Sequence, residues 1–150
     1  MRMALEEAEA GAREGNMAVG GVLVRGGEVL ARGHNEANST FDVTAHSETV
    51  VIRRASTHLR VRNPTMRVGA GPLGTSTLYT TVEPCPMCAW AICLAGISEV
   101  VIGVRHAELG ATFGDYAIER LIAMTGQPLR VVSGILRDES AELRRRIPRS

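Results

Sequence analysis

The chain has 150 residues, enough for one hydrophobic core and too few for two comfortable ones. Its 17 basic and 16 acidic residues leave a formal net charge of +1, so no strong overall field draws in nucleic acid, and its 45% hydrophobic content is ordinary for a globular protein. Three cysteines are too few for a disulfide framework and fit a reducing compartment, no apolar run is long enough to span a bilayer, and the charged, alanine-rich first residues lack the apolar centre of a secretory signal. The expectation is a single domain over residues 1–150, cytoplasmic and without a membrane partner.

In chain order, Met1 to Glu14 is rich in Ala, Glu and Leu, with Gly11 and Gly15 near its end, and reads as a helix. Val19 to Arg25 and Glu28 to Arg32 are apolar runs around Gly26-Gly27, the pattern of a hairpin with a Gly-Gly turn. Gly33 to Val43 is polar and reads as a loop, where Asn35 has the ordinary role of satisfying nearby backbone groups. Val50, Val51, Ile52 and Ala55 make Ala45 to Leu59 a buried helix, with Thr44 as its expected N-cap. Pro64, Gly69, Gly71, Pro72 and Gly74 mark Asn63 to Ser76 as a loop. A strand from Thr77 to Val82, a helix from Cys85 to Leu94 closed by Gly96, and a buried strand from Glu99 to Val104 follow. Asp115 to Met124 reads as a helix, Leu129 to Val132 as a strand and Asp138 to Arg146 as a last helix. Strands alternating with helices after an opening hairpin predict a layered α/β fold, its five-stranded mixed sheet having the last three strands parallel and helices on both faces.

Two stretches carry chemistry: Thr44-Ala45-His46-Ser47-Glu48 and Glu83-Pro84-Cys85-Pro86-Met87-Cys88. Zinc takes imidazole nitrogen and thiolate sulfur in a tetrahedron, and a catalytic site fills three corners from the protein. His46, Cys85 and Cys88 supply three ligands and leave the fourth corner for water. Cys85 and Cys88, three apart, share a helix face, and Pro84 and Pro86 suit a helix start. The partial positive charge of a helix N-terminus favours the thiolate that zinc requires. His46 and Glu48, two apart, diverge on a regular helix and converge only at an irregular helix entrance. Two helix N-termini aimed at one metal are therefore expected. Taken alone, the Cys-x-x-Cys could be a redox pair or half of a closed structural zinc site. A redox pair leaves His46 and Glu48 unexplained, and Cys93, the one candidate for a fourth ligand, points away from the shared face.

The His-x-Glu and Pro-Cys-x-x-Cys pair, together with Gly33-His34-Asn35 and Ser133-Gly134-Ile135-Leu136, resembles the zinc-dependent cytidine and nucleobase deaminases over nearly the whole chain. Bacterial guanine deaminases, fungal-type cytosine deaminases and tRNA adenosine deaminases are the members it most resembles. The resemblance implies a three-layer α/β/α cytidine-deaminase-like fold, Zn2+ as cofactor, and a homodimer paired through the metal-site helices. It implies that Glu48 is catalytic, taking a proton from the attacking water, passing it to a ring nitrogen and then to the leaving ammonia. It also implies that Asn35, Ala45, Phe113 and Asp115 contact the substrate base. Ser47 departs from the alanine usual at its position, and Trp90 from the usual small residue.

On the substrate the signals divide. Phe113-Gly114-Asp115 resembles a guanine deaminase segment in which an aspartate hydrogen-bonds the base; from local chemistry alone Asp115 is a helix N-cap. The tRNA enzymes carry an Asp-x-Lys-x-Gly-Ala-x-Gly-Ser run where Arg105 to Phe113 stands here and keeps only part of it. Arg144-Arg145-Arg146 and Arg149 form a basic cluster like that of a tRNA deaminase C-terminal helix, but arginines also suit a solvated helix end. The near-neutral total charge favours the solvated end. The expected function is hydrolytic deamination of a free aminated nucleobase (guanine, cytosine, isocytosine or a triazine analogue), a small-molecule substrate. The alternative is adenosine-to-inosine conversion in tRNA, with tRNA as the partner. A zinc-stabilised binding module without turnover is a third reading, against which Glu48 argues, since a structural site has no use for an unligated carboxylate.

Overall fold

The computed structural model describes residues 1–111 and 113–146, with position 70 described by its backbone alone; Arg149 of the basic cluster lies outside the described residues. Helix α1 (Arg2–Arg13) buries Ala4, Ala8 and Gly11 on one face. Strands β1 (Gly20–Arg25) and β2 (Glu28–His34) form the hairpin, pairing Arg25 with Glu28 across a two-residue turn. Gly26 and Gly27 both take positive φ there, 56° and 82°, which a side chain would resist. Strand β2 runs past the apolar pattern to His34, whose Nδ1 and Nε2 lie 3.1 Å from Glu7 and 3.1 Å from Glu14. Those two contacts tie the strand end to α1.

Inside the expected 33–43 loop is a single helical turn, α2 (Ala37–Thr40). Asn16 fixes it, its side-chain oxygen accepting the Asn38 and Ser39 amides at 3.0 Å each. Helix α3 (Ser47–Arg62) starts later and ends later than expected; Arg60 and Arg62 in its last turn suit the negative end of the dipole. After a long loop come β3 (Ser76–Val82), α4 (Pro86–Ala95) and β4 (Glu99–Val104). Gly96 ends α4 in the left-handed region, and a Cβ there would lie 2.7 Å from Gly71 Cα, so helix end and loop touch backbone to backbone. Helix α5 (Ile118–Thr125), strand β5 (Arg130–Ser133) and helix α6 (Arg137–Arg146) complete the chain. The N-cap of α5 is Ala117 and not Asp115, whose carbonyl instead accepts the Arg120 side chain at 3.0 Å.

The sheet order is β2-β1-β3-β4-β5, with β1 antiparallel to both neighbours and β3, β4 and β5 parallel, as the alternation of elements predicts. Helices α1 and α6 cover one face; α3 packs on the other, with α4 against it and α5 against α4. The main core lies between the sheet and this second set of helices: Leu23, Leu78, Val100 and Ile102 from strands meet Val51, Ala89, Ile92 and Ile118 from helices. This is the three-layer α/β/α architecture of the cytidine-deaminase-like folds. Because β3 and β4 are parallel, their carboxyl ends open on one edge, and the starts of α3 and α4 gather there. No helix among the described residues is long and apolar enough to cross a membrane.

Candidate active site

His46 is the N-cap of α3 and Cys85 the N-cap of α4, both with extended backbone (ψ 157° and 169°) and neither with a side-chain capping bond. Thr44, the expected cap, sits two residues short; its carbonyl instead accepts the Thr49 hydroxyl. Extended backbone at His46 is the irregular entrance that lets it converge with Glu48, which lies inside the first turn. Pro86 begins α4, where its missing N–H costs nothing, and Cys88 follows within the first turn. Two helix starts thus present three ligands to one point.

The geometry fits zinc. His46 Nδ1 lies 3.5 Å from Cys85 Sγ and 3.5 Å from Cys88 Sγ, and the three ligand atoms fall within 4.8 Å of one another. Tetrahedral zinc, with bonds of about 2.0–2.1 Å to nitrogen and 2.3 Å to sulfur, separates such atoms by roughly 3.5 Å. These are the one group of three or more potential ligands this close among the described residues. Cys93 is buried in the main core and belongs to no such group. Hydrogen bonding from Cys88, and from His46 beside it, draws the Cys85 thiol down to about 4. The Cys88 thiol is pushed up, chiefly because it donates to Cys85. The Cys85 sulfur holds the His46 imidazole above its ordinary value. Of the two thiols, Cys85 is the one drawn toward the thiolate form.

Glu48 is buried beside the triad. Ser47 Oγ donates to its Oε2 at 2.9 Å, and the Thr80 hydroxyl lies 3.3 Å from its Oε1. Burial pushes the Glu48 carboxyl up, against the bonds from its own backbone amide and from Ser47. A second buried carboxylate, Glu83, fastens the ligand turn: its Oε1 accepts from Arg105 at 3.0 Å and its Oε2 from the His106 amide at 3.0 Å. The Tyr116 hydroxyl donates to the Pro84 carbonyl at 2.6 Å, one residue before Cys85.

The triad opens into a cleft of about 640 Å³ whose lining includes Asn35, His46, Glu48, Phe113, Arg144 and Arg145. The Asn35 side-chain oxygen accepts the Ala37 amide at 3.1 Å, so its amide nitrogen is the end left for another partner. Phe113 stands edge-on to His106 at 4.9 Å and to Tyr116 at 6.2 Å. Ala45 is buried behind His46, its N–H donated to Asp42 at 3.0 Å and its carbonyl accepting from Glu36 at 2.8 Å. Asp115 is exposed in the turn before α5 and is not among the residues lining the cleft. Thr80 and Tyr116 were not singled out by sequence, and Glu83 stood there only as part of the second stretch, without a role of its own. A polar residue inside a β-rich apolar run is the one signal Thr80 gives.

The chain belongs to the cytidine and deoxycytidylate deaminase zinc-binding family, whose model matches residues 1–104. It is a zinc-dependent deaminase. A tRNA-specific adenosine deaminase of Agrobacterium fabrum is 36% identical over 150 residues, covering 97% of this chain and 89% of that protein. A chloroplastic tRNA(adenine(34)) deaminase of Arabidopsis thaliana is 42% identical over 111 residues, 74% of this chain but 8% of that far longer protein. Among solved structures, one from studies of A-to-I editing by tRNA:A34 deaminases at the wobble position of transfer RNA has a TM-score of 0.75 at 34% identity, covering 95% of this chain and 96% of that one. The guanine deaminase of Nitrosomonas europaea has a TM-score of 0.79 at 24% identity over 97% of this chain and 81% of its own, a likeness of fold.

These relatives overturn the expectation of a free-base deaminase: curated relatives matched over nearly the whole chain bear the tRNA adenosine activity in their names. The structure supplies the physical reason. Two of the arginines read as a solvated helix end, Arg144 and Arg145, are carried by α6 to the wall of the metal cleft.

Proposed function

We propose that this chain hydrolytically deaminates adenosine in tRNA to inosine, consuming one water and releasing one ammonia per turnover. The observation that carries the proposal is the sharing of one cleft by Glu48, the ligand residues His46 and Cys85, and Arg144 and Arg145, which sets cations beside a site built for a base. Zinc, which His46, Cys85 and Cys88 would hold, would supply Lewis-acid activation of a water. Glu48 accepts one proton from the attacking water and delivers it to the ring nitrogen of the base, then carries the second, from the new hydroxyl on the ring carbon, to the departing amine. Asn35 offers its amide nitrogen to the base, and Phe113 gives it an aromatic wall. Ala45, with both backbone groups engaged, fixes the turn that carries His46. An adenosine within a tRNA loop must leave its stack to enter, so phosphate contacts at the cleft wall supply the hold.

The direct test is inosine formation in a tRNA and in its anticodon stem-loop, beside ammonia release from free guanine, cytosine and isocytosine. Inosine in the RNA with no ammonia from the bases is expected. Ammonia from a free base with no inosine sinks the proposal. A second test reads the arginines. Arg144→Ala with Arg145→Ala is expected to weaken tRNA binding and to flatten log K against log salt by about 0.7–0.9 for each phosphate no longer neutralised, with zinc content unchanged. A wild-type slope would remove α6 from the RNA interface.

The working unit is proposed to be a homodimer. Met87, Trp90 and Leu94 lie along one face of α4, which starts at a metal ligand, and they are 38%, 45% and 67% exposed. Three large apolar side chains at helical spacing fit a second copy better than solvent. Trp90→Glu with Leu94→Glu is expected to sediment as a monomer where the wild type sediments as a dimer. Identical sedimentation of the two would place the interface elsewhere.

A further inference from the structure

Glutamate is a long side chain with three rotors, and a carboxylate that relays protons must keep its plane fixed while its proton count changes. The residue before Glu48 is a serine, fully buried, whose hydroxyl donates to Oε2 at 2.9 Å. Neighbouring residues inside a helix do not face each other. Here Ser47 is the first residue of α3, where the chain has just left the extended backbone of His46, and the short hydroxyl reaches the carboxylate. The other oxygen has a weaker hold. Thr80 Oγ1 is 3.3 Å from Oε1 but 3.0 Å from the Val82 carbonyl, so its one hydrogen is divided between them. Hydrogen bonds to a charged acceptor are roughly twice as strong as neutral ones, and this one lies away from water.

We infer that Ser47 is a positioning residue, its hydroxyl holding the Glu48 carboxylate in the plane from which it relays protons. This rests on the deaminase role proposed for Glu48. Ser47 occupies the carboxylate's Oε2 from the protein side and leaves that oxygen's remaining lone pair, with the part of Oε1 that Thr80 does not take, for the cleft. Ser47→Ala removes one oxygen atom from a buried site, leaves the metal ligands and substrate contacts in place, and frees the carboxylate to rotate.

The test compares zinc-loaded wild type and Ser47→Ala in two ways. In crystals, Glu48 is expected in one conformation bonded to Ser47 in the wild type, and turned or split between conformations in the variant. With a tRNA substrate, kcat is expected to fall about 5- to 20-fold with KM within about twofold, since placement and not binding is impaired. An unchanged Glu48 conformation in the variant, or an unchanged kcat, overturns the inference. A wild type that makes no inosine from tRNA defeats the functional proposal instead, and the crystal comparison still decides the role of Ser47.

Discussion

Glu48→Gln is expected to bind a full equivalent of zinc, melt close to wild type and lose turnover by a factor on the order of 10²–10⁴ or more. Glutamine matches glutamate in shape and can still accept the Ser47 hydroxyl through its amide oxygen, so the local fold is kept. What it lacks is a group able to take a proton and give it back. Because Glu48 is not among the three ligand residues, the metal stays. The measurement is single-turnover inosine formation beside metal analysis of the same sample. Near-normal turnover would mean that protons travel by another route, and Glu48 would be reduced to a packing residue.

Replacing Cys88 with alanine is expected to remove metal and activity together. Two protein ligands hold zinc poorly, and Cys85 is left beside His46 without the partner whose hydrogen bond draws its thiol down. Metal analysis decides it: a full equivalent of zinc in Cys88→Ala would show the ligand set to be wrong. Cys93→Ala is the control. Its sulfur sits in the main core, so this change is expected to keep both zinc and turnover.

The metal centre was legible because zinc imposes residue types and spacing that little else explains. His46 with Glu48, and Cys85 with Cys88, announce themselves even though the two pairs come from separate elements. The sheet was legible too: the Gly-Gly turn fixed the hairpin, and the long helical connection between β4 and β5 forced a parallel pairing. The ends of elements were less so. Strand β2 outruns its apolar pattern because Glu7 and Glu14 wait for His34, a tertiary contact that local propensity does not register. The substrate was misjudged for a related reason. A run of arginines near the end of a helix reads as a solvated tip until the packing of α6 against α1, β3 and β4 brings Arg144 and Arg145 to the cleft. Total charge is an average, and recognition depends on where a few charges are put. Asn35 shows the opposite limit: the resemblance alone raised it above an ordinary loop residue, and the structure places it on the cleft wall.

The absence of side-chain caps on α3 and α4 reaches beyond catalysis. A serine or aspartate at such a position ordinarily contributes about 1 kcal/mol to its helix, and His46 and Cys85 forgo that contribution to serve as ligands. An ion held between them ties together two helix starts 39 residues apart in the chain, so metal supply enters the folding equilibrium directly. Each tenfold rise in free zinc above its dissociation constant adds about 1.4 kcal/mol to the native state. Copies deprived of metal are therefore both idle and shorter-lived. Under scarcity, abundance falls alongside activity, and a melting curve of this protein doubles as a gauge of its loading.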